Sequence, residues 1–416
     1  MDCAYFRAGL CRSCTWIERP YVRQLADKQA AVRQTLAEAG VADLGPGAAD
    51  GVWLAPATSP ETGFRTTAKM AVGGTADAPT LGILDADRRG VDLRGCPIVA
   101  RPIREALPGI ARFITACGLV PYDVAHRRGE LKYVLITAAE DGSLLIRFVL
   151  RSRRQVGALR RNLGLLREWV PGAAVVTANI HPVHEAIVEG PEELALTERT
   201  ALPLPVGDVV LHAGPRSFVQ TNTGVAAQLY RQAARWILAG PAGQGRPADE
   251  GGAGSALSPA GADRADGWRP GELWDLYCGV GGFALHAARA GVPCVTGVEI
   301  SEQAIDAATE SAADLGLTPP AVRFLAADAA AWARRQAHEP DAVVVNPPRR
   351  GIGADLAGWL DASGVNRVVY SSCFPPSLAR DLAAMPRLRP VAARLFDMFP
   401  HTAHAEVAVL LERRPA

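Results

Sequence analysis

From Glu272 to the C-terminus, short apolar runs alternate with stretches of helical period, and this alternation restricts the fold more than any other feature of the chain. Leu273 to Tyr277, Cys294 to Glu299, Val322 to Ala326, Ala342 to Val345 and Arg367 to Tyr370 read as strands. Between them, helices are expected from Gly282, over Glu302 to Leu315, near Ala329 to Gln336 and near Asp355, and another follows near Ser377. Two further strands, Val391 to Phe396 and Ala405 to Leu411, end the series. The pattern predicts a doubly wound α/β domain, in which ligands bind outside the carboxyl ends of the strands. The residues of chemical interest fall at those ends.

One of them is Cys373, in Tyr370-Ser371-Ser372-Cys373-Phe374-Pro375-Pro376. A buried strand precedes it, and the two prolines suit the first turn of a helix. A cysteine at such a turn lies near the positive end of the helix dipole, which favours thiolate and nucleophilicity. An inert buried thiol fits the same seven residues.

Trp274-Asp275-Leu276-Tyr277-Cys278-Gly279-Val280-Gly281-Gly282-Phe283 reads as strand, glycine-rich turn and helix start, and Ala284 completes G-x-G-x-x-A. Glu299 ends the next strand, 20 residues after Gly279, where a carboxylate can accept from both hydroxyls of a ribose. NAD and S-adenosylmethionine both satisfy that description, so an NAD-linked oxidoreductase stands beside a methyltransferase here. Asn346-Pro347-Pro348-Arg349-Arg350-Gly351 follows the strand Ala342 to Val345 and favours a methyltransferase acting on nucleic acid. In amino-methylating enzymes an aromatic residue follows the prolines and stacks on the flipped base. Arg349 stands there instead, suited with Arg350 to phosphate or a substrate oxygen. Glu406 opens an apolar strand, where a carboxylate is costly unless paired or used, and it is a candidate general base. His401 and His404 lack the partners of a metal site.

Residues 1–20 carry Cys3, Cys11 and Cys14, and Cys96 is the next cysteine. Three clustered thiols and one remote thiol lean toward an iron–sulfur cluster rather than zinc, which usually takes two close pairs. Residues 21–206 read as an α+β domain: a helix from Tyr21 to Ala39, then strand-like pieces at Phe64 to Val72, Leu81 to Leu84 and Lys132 to Thr137. A hairpin turn follows at Asp141-Gly142-Ser143, and then one helix from Arg151 to Trp169 with six arginines. The whole chain carries a net charge of only +1, but Arg88 to Val170 holds sixteen Lys and Arg against seven Asp and Glu. Such a surplus steers polyanions, and RNA or DNA is the expected partner of this segment. The third part, 207–416, opens with Gln220-Thr221-Asn222 and a helix from Thr223 to Leu238. Residues 240–270, rich in Gly, Ala, Pro and Asp, read as a disordered surface insertion within it. No signal pattern opens the chain and no run of 18 apolar residues occurs, so a cytoplasmic location off the membrane is expected.

Taken in order, Cys3-Ala4, Cys11-Arg12-Ser13-Cys14, Gln220-Thr221-Asn222, Asn346-Pro347-Pro348-Arg349-Arg350-Gly351-Ile352-Gly353 and Phe396-Asp397-Met398-Phe399-Pro400-His401-Thr402 resemble the RNA uracil-C5 methyltransferases of the TrmA and RumA type. The match spans nearly the whole chain and is nearest to the branch acting on 23S rRNA, with tRNA as the second candidate substrate. The resemblance implies a Rossmann-like domain that uses S-adenosylmethionine, contacted by Gln220, Tyr277, Glu299 and Asn346. It implies a [4Fe-4S] cluster on Cys3, Cys11, Cys14 and Cys96, Cys373 as nucleophile, Glu406 as base, and a monomeric RNA-binding enzyme. Many relatives carry Asp at the position of Asn346. The RNA-binding barrel that precedes the cysteines in some relatives has no place ahead of Cys3, which throws RNA contact onto the basic domain. Cysteine addition to uracil C6 would activate C5 for methylation, followed by loss of the C5 proton to Glu406.

Overall fold

The computed structural model describes residues 1–184, 188–239 and 268–415. The insertion expected at 240–270 therefore lies outside the described residues except for its last three positions. The chain divides into two units, one made of Met1–Glu18, Pro60–Leu204 and Ala213–Arg216, the other of Arg19–Ser59, Pro205–His212 and Ser217–Ala416.

The first unit is a seven-stranded sheet in the order Gly90–Asp92, Pro79–Leu84, Thr67–Gly74, Leu131–Ala138, Leu144–Leu150, Ala173–Ile180, Glu192–Ala195. Only Leu144–Leu150 and Ala173–Ile180 run parallel; the other neighbours are antiparallel. Parallel neighbours need a crossover, and the helices between Val156 and Trp169 supply it. Helix Arg101–Ala116 buries Ile103, Leu107, Ile110 and Phe113 in the same core as Val134, Ile146 and Phe148. The single helix expected from Arg151 to Trp169 is two short ones, Val156–Arg161 and Leu163–Trp169, after a 3₁₀ turn at Arg153–Gln155. Asn162 interrupts it, its side-chain amide donating to the Ala158 carbonyl at 3.0 Å, a local alternative to helical bonding that this residue type offers. The basic surplus is also smaller at the surface than the sequence suggests. Arg147 is buried and paired with Glu189 and Glu193.

In the second unit the sheet order is Val322–Ala326, Cys294–Glu299, Glu272–Leu276, Ala342–Val345, Arg367–Ser372, Glu406–Arg413, Leu388–Phe396. The first five strands are parallel and the last two antiparallel to their neighbours. Strand order reverses between Glu272–Leu276 and Ala342–Val345, so a crevice opens beyond their carboxyl ends. Helices follow each parallel strand, and polar residues cap two of them as well as the helix Thr223–Leu238 ahead of the first strand. Ser301 accepts from the Ala304 N–H, Asp328 from Ala331, and Asn222 caps Thr223–Leu238 through Val225.

Helix Tyr21–Glu38, expected with the α+β domain, belongs to this second unit. Its Leu25, Val32 and Leu36 are buried in one core with Leu378, Leu395 and Val407. The same helix face carries Lys28, whose ammonium donates to Asp397 Oδ1 at 2.6 Å and to the Phe399 carbonyl at 2.9 Å. Gln24 Oε1 accepts from the His401 N–H at 2.8 Å. The loop that leads into Glu406 is thereby pinned from a distance of some 370 residues in sequence. Both members of the Lys28–Asp397 pair are fully buried, and removing one partner of such a pair strands the other charge. Lys28→Met is expected to cost about 3–5 kcal/mol of stability, measured by urea denaturation. A loss below about 1 kcal/mol would show that Asp397 finds another partner.

Candidate active site

Cys373 lies between the strand Arg367–Ser372 and the helix Pro375–Ala383, whose first two residues are prolines with φ already fixed for a helix start. On the neighbouring strand, Ser372 pairs with Val407 and Ser371 with Ala408, so Glu406 stands opposite Cys373 one position further along the ladder. Glu406 is also paired with Phe396 on its other side and is only 2% exposed. The Ser371 hydroxyl donates to its Oε1 at 2.5 Å. Burial pushes the Glu406 carboxyl up to about 7, and the Ser371 hydrogen bond holds it from going higher. A carboxyl poised there exchanges protons near neutral pH.

The Cys373 thiol differs from the sequence-based expectation. Its half-buried position pushes its pKa up, and the Glu406 charge pushes in the same direction, while Arg349 pulls it back by charge and by a hydrogen bond. Burial and the Glu406 charge therefore oppose the thiolate at this site, and Arg349 favours it. Arg349 comes from the turn after the strand Ala342–Val345. That turn is tied down by Asp381 of the helix behind Cys373, which accepts from the Ile352 N–H at 2.8 Å and the Tyr370 hydroxyl at 2.7 Å. At Gly351, φ is 84°, and an added Cβ would meet Asp381 Oδ2 at 2.2 Å, so only glycine lets the turn approach so closely. Asp381 was not recognisable from sequence, because an acid in a helix reads as solvent-facing until its buried partners are known.

The glycine-rich turn occupies the other side of the crevice. Tyr277, Gly279 and Gly281 all have positive φ, of 66°, 53° and 84°. An added Cβ at Gly279 would meet nothing within 4 Å, so its amide borders open space. The Gly279 N–H donates weakly to Glu299 Oε2 at 3.4 Å, and the Ser301 N–H donates to Oε1 at 3.1 Å. Tyr277 is pushed up by burial and then by the charge of Asp328, with smaller upward pushes from Asp381 and Glu299 and a downward pull from Arg350. Asp328, at the end of the third strand, is a further carboxylate that the sequence reading passed over. Asn346 follows its strand at the switch point, its N–H donating to the Leu276 carbonyl at 3.4 Å. Gln220 is buried just ahead of the helix Thr223–Leu238. Tyr230 of that helix seats its ring against Gly282, where a Cβ would come within 2.6 Å. Burial raises the Tyr230 phenol, and the charges of Asp275 and Glu406 raise it further. Asp275, inside the apolar strand, accepts from the Ala284 N–H at 2.9 Å and is pushed up to about 7 by burial.

Cys3, Cys11, Cys14 and Cys96 of the first unit line a single pocket with Leu93, Pro97 and Ile98. Burial pushes the Cys14 thiol up to about 11, with smaller contributions from Cys96, Cys11 and Cys3, so the four sulfurs share one neighbourhood. Among the described residues, no group of three or more His, Cys, Asp or Glu is arranged to hold a single metal ion. His401 is buried against Gln24 and His404 packs on Phe399. Among the described residues, no helix is long and apolar enough to cross a membrane.

Residues 262–414 match the family model described as tRNA (Uracil-5-)-methyltransferase. A 23S rRNA (uracil(747)-C(5))-methyltransferase RlmC from Halothiobacillus neapolitanus is 45% identical over 99% of this chain and 100% of its own. One from Escherichia coli is 41% identical over the full length of both. Among solved structures, a Pyrococcus abyssi tRNA (uracil-54, C5)-methyltransferase in complex with S-adenosyl-L-homocysteine shares the fold, with a TM-score of 0.72 and 21% identity, over 96% of this chain and 85% of that one. Identity at that level across the whole length, on a fold with this crevice, leaves one assignment: the chain belongs to the RNA uracil-C5 methyltransferases, in the RlmC family.

Proposed function

We propose that this enzyme transfers a methyl group from S-adenosylmethionine to C5 of a uridine in 23S rRNA. The observation that carries the reading is the placement of Glu406, a buried carboxylate opposite Cys373 at the rim of a glycine-turn crevice. Uracil C5 is a weak nucleophile. Cys373 sulfur adds to C6, the ring electrons move to an enolate, and C5 then takes the methyl group, releasing S-adenosylhomocysteine. Glu406 accepts the C5 proton, the C6–S bond breaks, and the 5,6 double bond returns. Arg349 offsets burial in stabilising the attacking thiolate. Gln220, Tyr277, Glu299 and Asn346 hold the S-adenosylmethionine, Glu299 accepting from the ribose hydroxyls.

Four cysteines converging on one apolar pocket supply the donor set of a [4Fe-4S] cluster, in which each thiolate binds its own iron. We assign the pocket to such a cluster. Protein isolated without oxygen is expected to contain iron and acid-labile sulfide and to absorb in the visible. Cys96→Ser should lose both; zinc without sulfide would overturn the assignment.

The full-length relatives favour 23S rRNA over tRNA, and the two are separable in one assay with labelled S-adenosylmethionine and each RNA in parallel. Cys373→Ala is expected to give neither product nor covalent adduct. Glu406→Gln should slow turnover roughly 10²- to 10⁴-fold while a protein–RNA adduct accumulates on denaturing gels. Label appearing in RNA with Cys373→Ala would sink the covalent mechanism.

A pH dependence follows from the state of Glu406, which works as a carboxylate. Single-turnover release of product should rise with pH through about 7. The Ser371 hydroxyl lowers the pKa of Glu406, so Ser371→Ala raises it and moves the ascending limb to higher pH. An unmoved limb would show that another group sets it.

A further inference from the structure

The first unit contains a cavity of about 200 Å³ whose walls include Arg88, Tyr122, Val124, Lys132, Tyr133 and His184. The Cys373 site is built wholly from residues of the second unit, so the methyl-transfer chemistry leaves this cavity without a role. Its construction is specific. The ladder between Leu131–Ala138 and Leu144–Leu150 slips between Leu131 and Tyr133, leaving Lys132 at the irregularity. Such bulges re-aim side chains, and both Lys132 and Tyr133 reach the cavity. Lys132 is only 7% exposed. Its ammonium donates to the Val183 carbonyl at 2.6 Å and lies 4.8 Å from the Tyr122 ring centre, a cation–π distance. The Tyr122 hydroxyl is hydrogen-bonded to His184 Nδ1 at 3.0 Å, and the two rings are 6.1 Å apart between centres. Exposed Arg88 stands at the rim with φ at 65°, in the left-handed region.

Aromatic faces around a fixed ammonium, with a guanidinium at the mouth, match the chemistry of a nucleotide. The rings accept a base by stacking and the cations take its phosphate. Sequence-specific RNA recognition works on unpaired bases splayed onto such side chains. We propose that this cavity receives one unpaired nucleotide of the substrate RNA other than the target uridine, and so helps select the RNA. The proposal rests on the methyltransferase reading above. It also identifies where in the basic segment from Arg88 to Val170 base contact is made: Arg88, Lys132 and Tyr133 belong to that segment.

The test compares wild type with Tyr122→Ala and Tyr122→Phe as full-length proteins. It measures Kd for a 23S rRNA fragment with all loops intact, and KM and kcat for methyl transfer into it. A short single-stranded oligonucleotide containing one uridine serves as a second substrate that fills only the Cys373 crevice. Tyr122→Ala is expected to raise Kd and KM for the fragment roughly 5- to 100-fold, leaving kcat at saturation and transfer to the oligonucleotide unchanged. Tyr122→Phe, which keeps the ring, should stay within about threefold of wild type, below the free energy of one stacked base. Equal Kd and KM for Tyr122→Ala and wild type would overturn the proposal. So would equal losses on both substrates, which would mark Tyr122 as merely structural. Wild type that methylates neither RNA would instead overturn the functional reading, and this proposal with it.

Discussion

A carboxylate buried at the end of an apolar strand governs how this enzyme is put together. Glu406 loses its water on both sides, to the strand carrying Ser371 and to Phe396, and one hydroxyl from Ser371 is the hydrogen bond that answers it. Burial without an opposing cation is costly for the charged form, which is why the group titrates near neutrality rather than in the usual carboxylate range. That cost restricts its surroundings. The loop before Glu406 must be rigid, and the fold secures it with a second buried charge pair, Lys28–Asp397, contributed by a helix from the start of the second unit. The pair thus holds in place the loop that delivers the proposed base.

Much of the catalytic sheet was legible because each element announces itself locally. Apolar runs of strand length, glycines with positive φ at the first turn and a proline pair at the last helix all act over a few residues. Their order along the chain then puts Tyr277, Glu299, Asn346 and Cys373 at carboxyl ends of the parallel strands. What could not be read were interactions that join distant stretches. The helix Tyr21–Glu38 has the same local pattern whichever unit it joins; Leu25, Val32 and Leu36 meet Leu395 and Val407 only in three dimensions. The direction of the Cys373 shift failed for the same reason. The helix start is visible in sequence, whereas the burial and the Glu406 charge that raise the thiol are tertiary facts. Asp381 and Asp328 read as ordinary surface acids, and their neighbours alone distinguish them.

The basic segment illustrates a different limit. Counting charges finds the right region but assigns each arginine equal weight. In the fold, Arg147 is spent internally on Glu189 and Glu193, and Arg151 bonds to the Arg127 carbonyl and Glu130. The part of the charge available to a polyanion is smaller and more localised than the surplus indicates. Phosphate contacts of this kind position an RNA without reading it. Selectivity must come from groups that distinguish bases, the role proposed for the rings and the ammonium gathered at the strand irregularity around Lys132.

The two raised pKa values also order the chemistry. With Glu406 near 7 and the Cys373 thiol displaced upward, the two groups cannot both carry a full negative charge in the empty crevice without repelling each other. Arg349 is the cation placed to relieve this, and it sits on a turn whose position depends on Gly351 and Asp381. Ionisation of the nucleophile is therefore coupled to the closeness of that turn. In the proposed mechanism, addition of sulfur to C6 passes the negative charge from the thiolate to the uracil enolate. Burial, partly countered by the Ser371 hydrogen bond, sets the Glu406 carboxyl near 7, so the proposed base is able to take the C5 proton once the adduct has formed. Burial thus weighs against the thiolate while it gives the carboxyl a proton exchange near neutrality, and Arg349 answers the first of these effects.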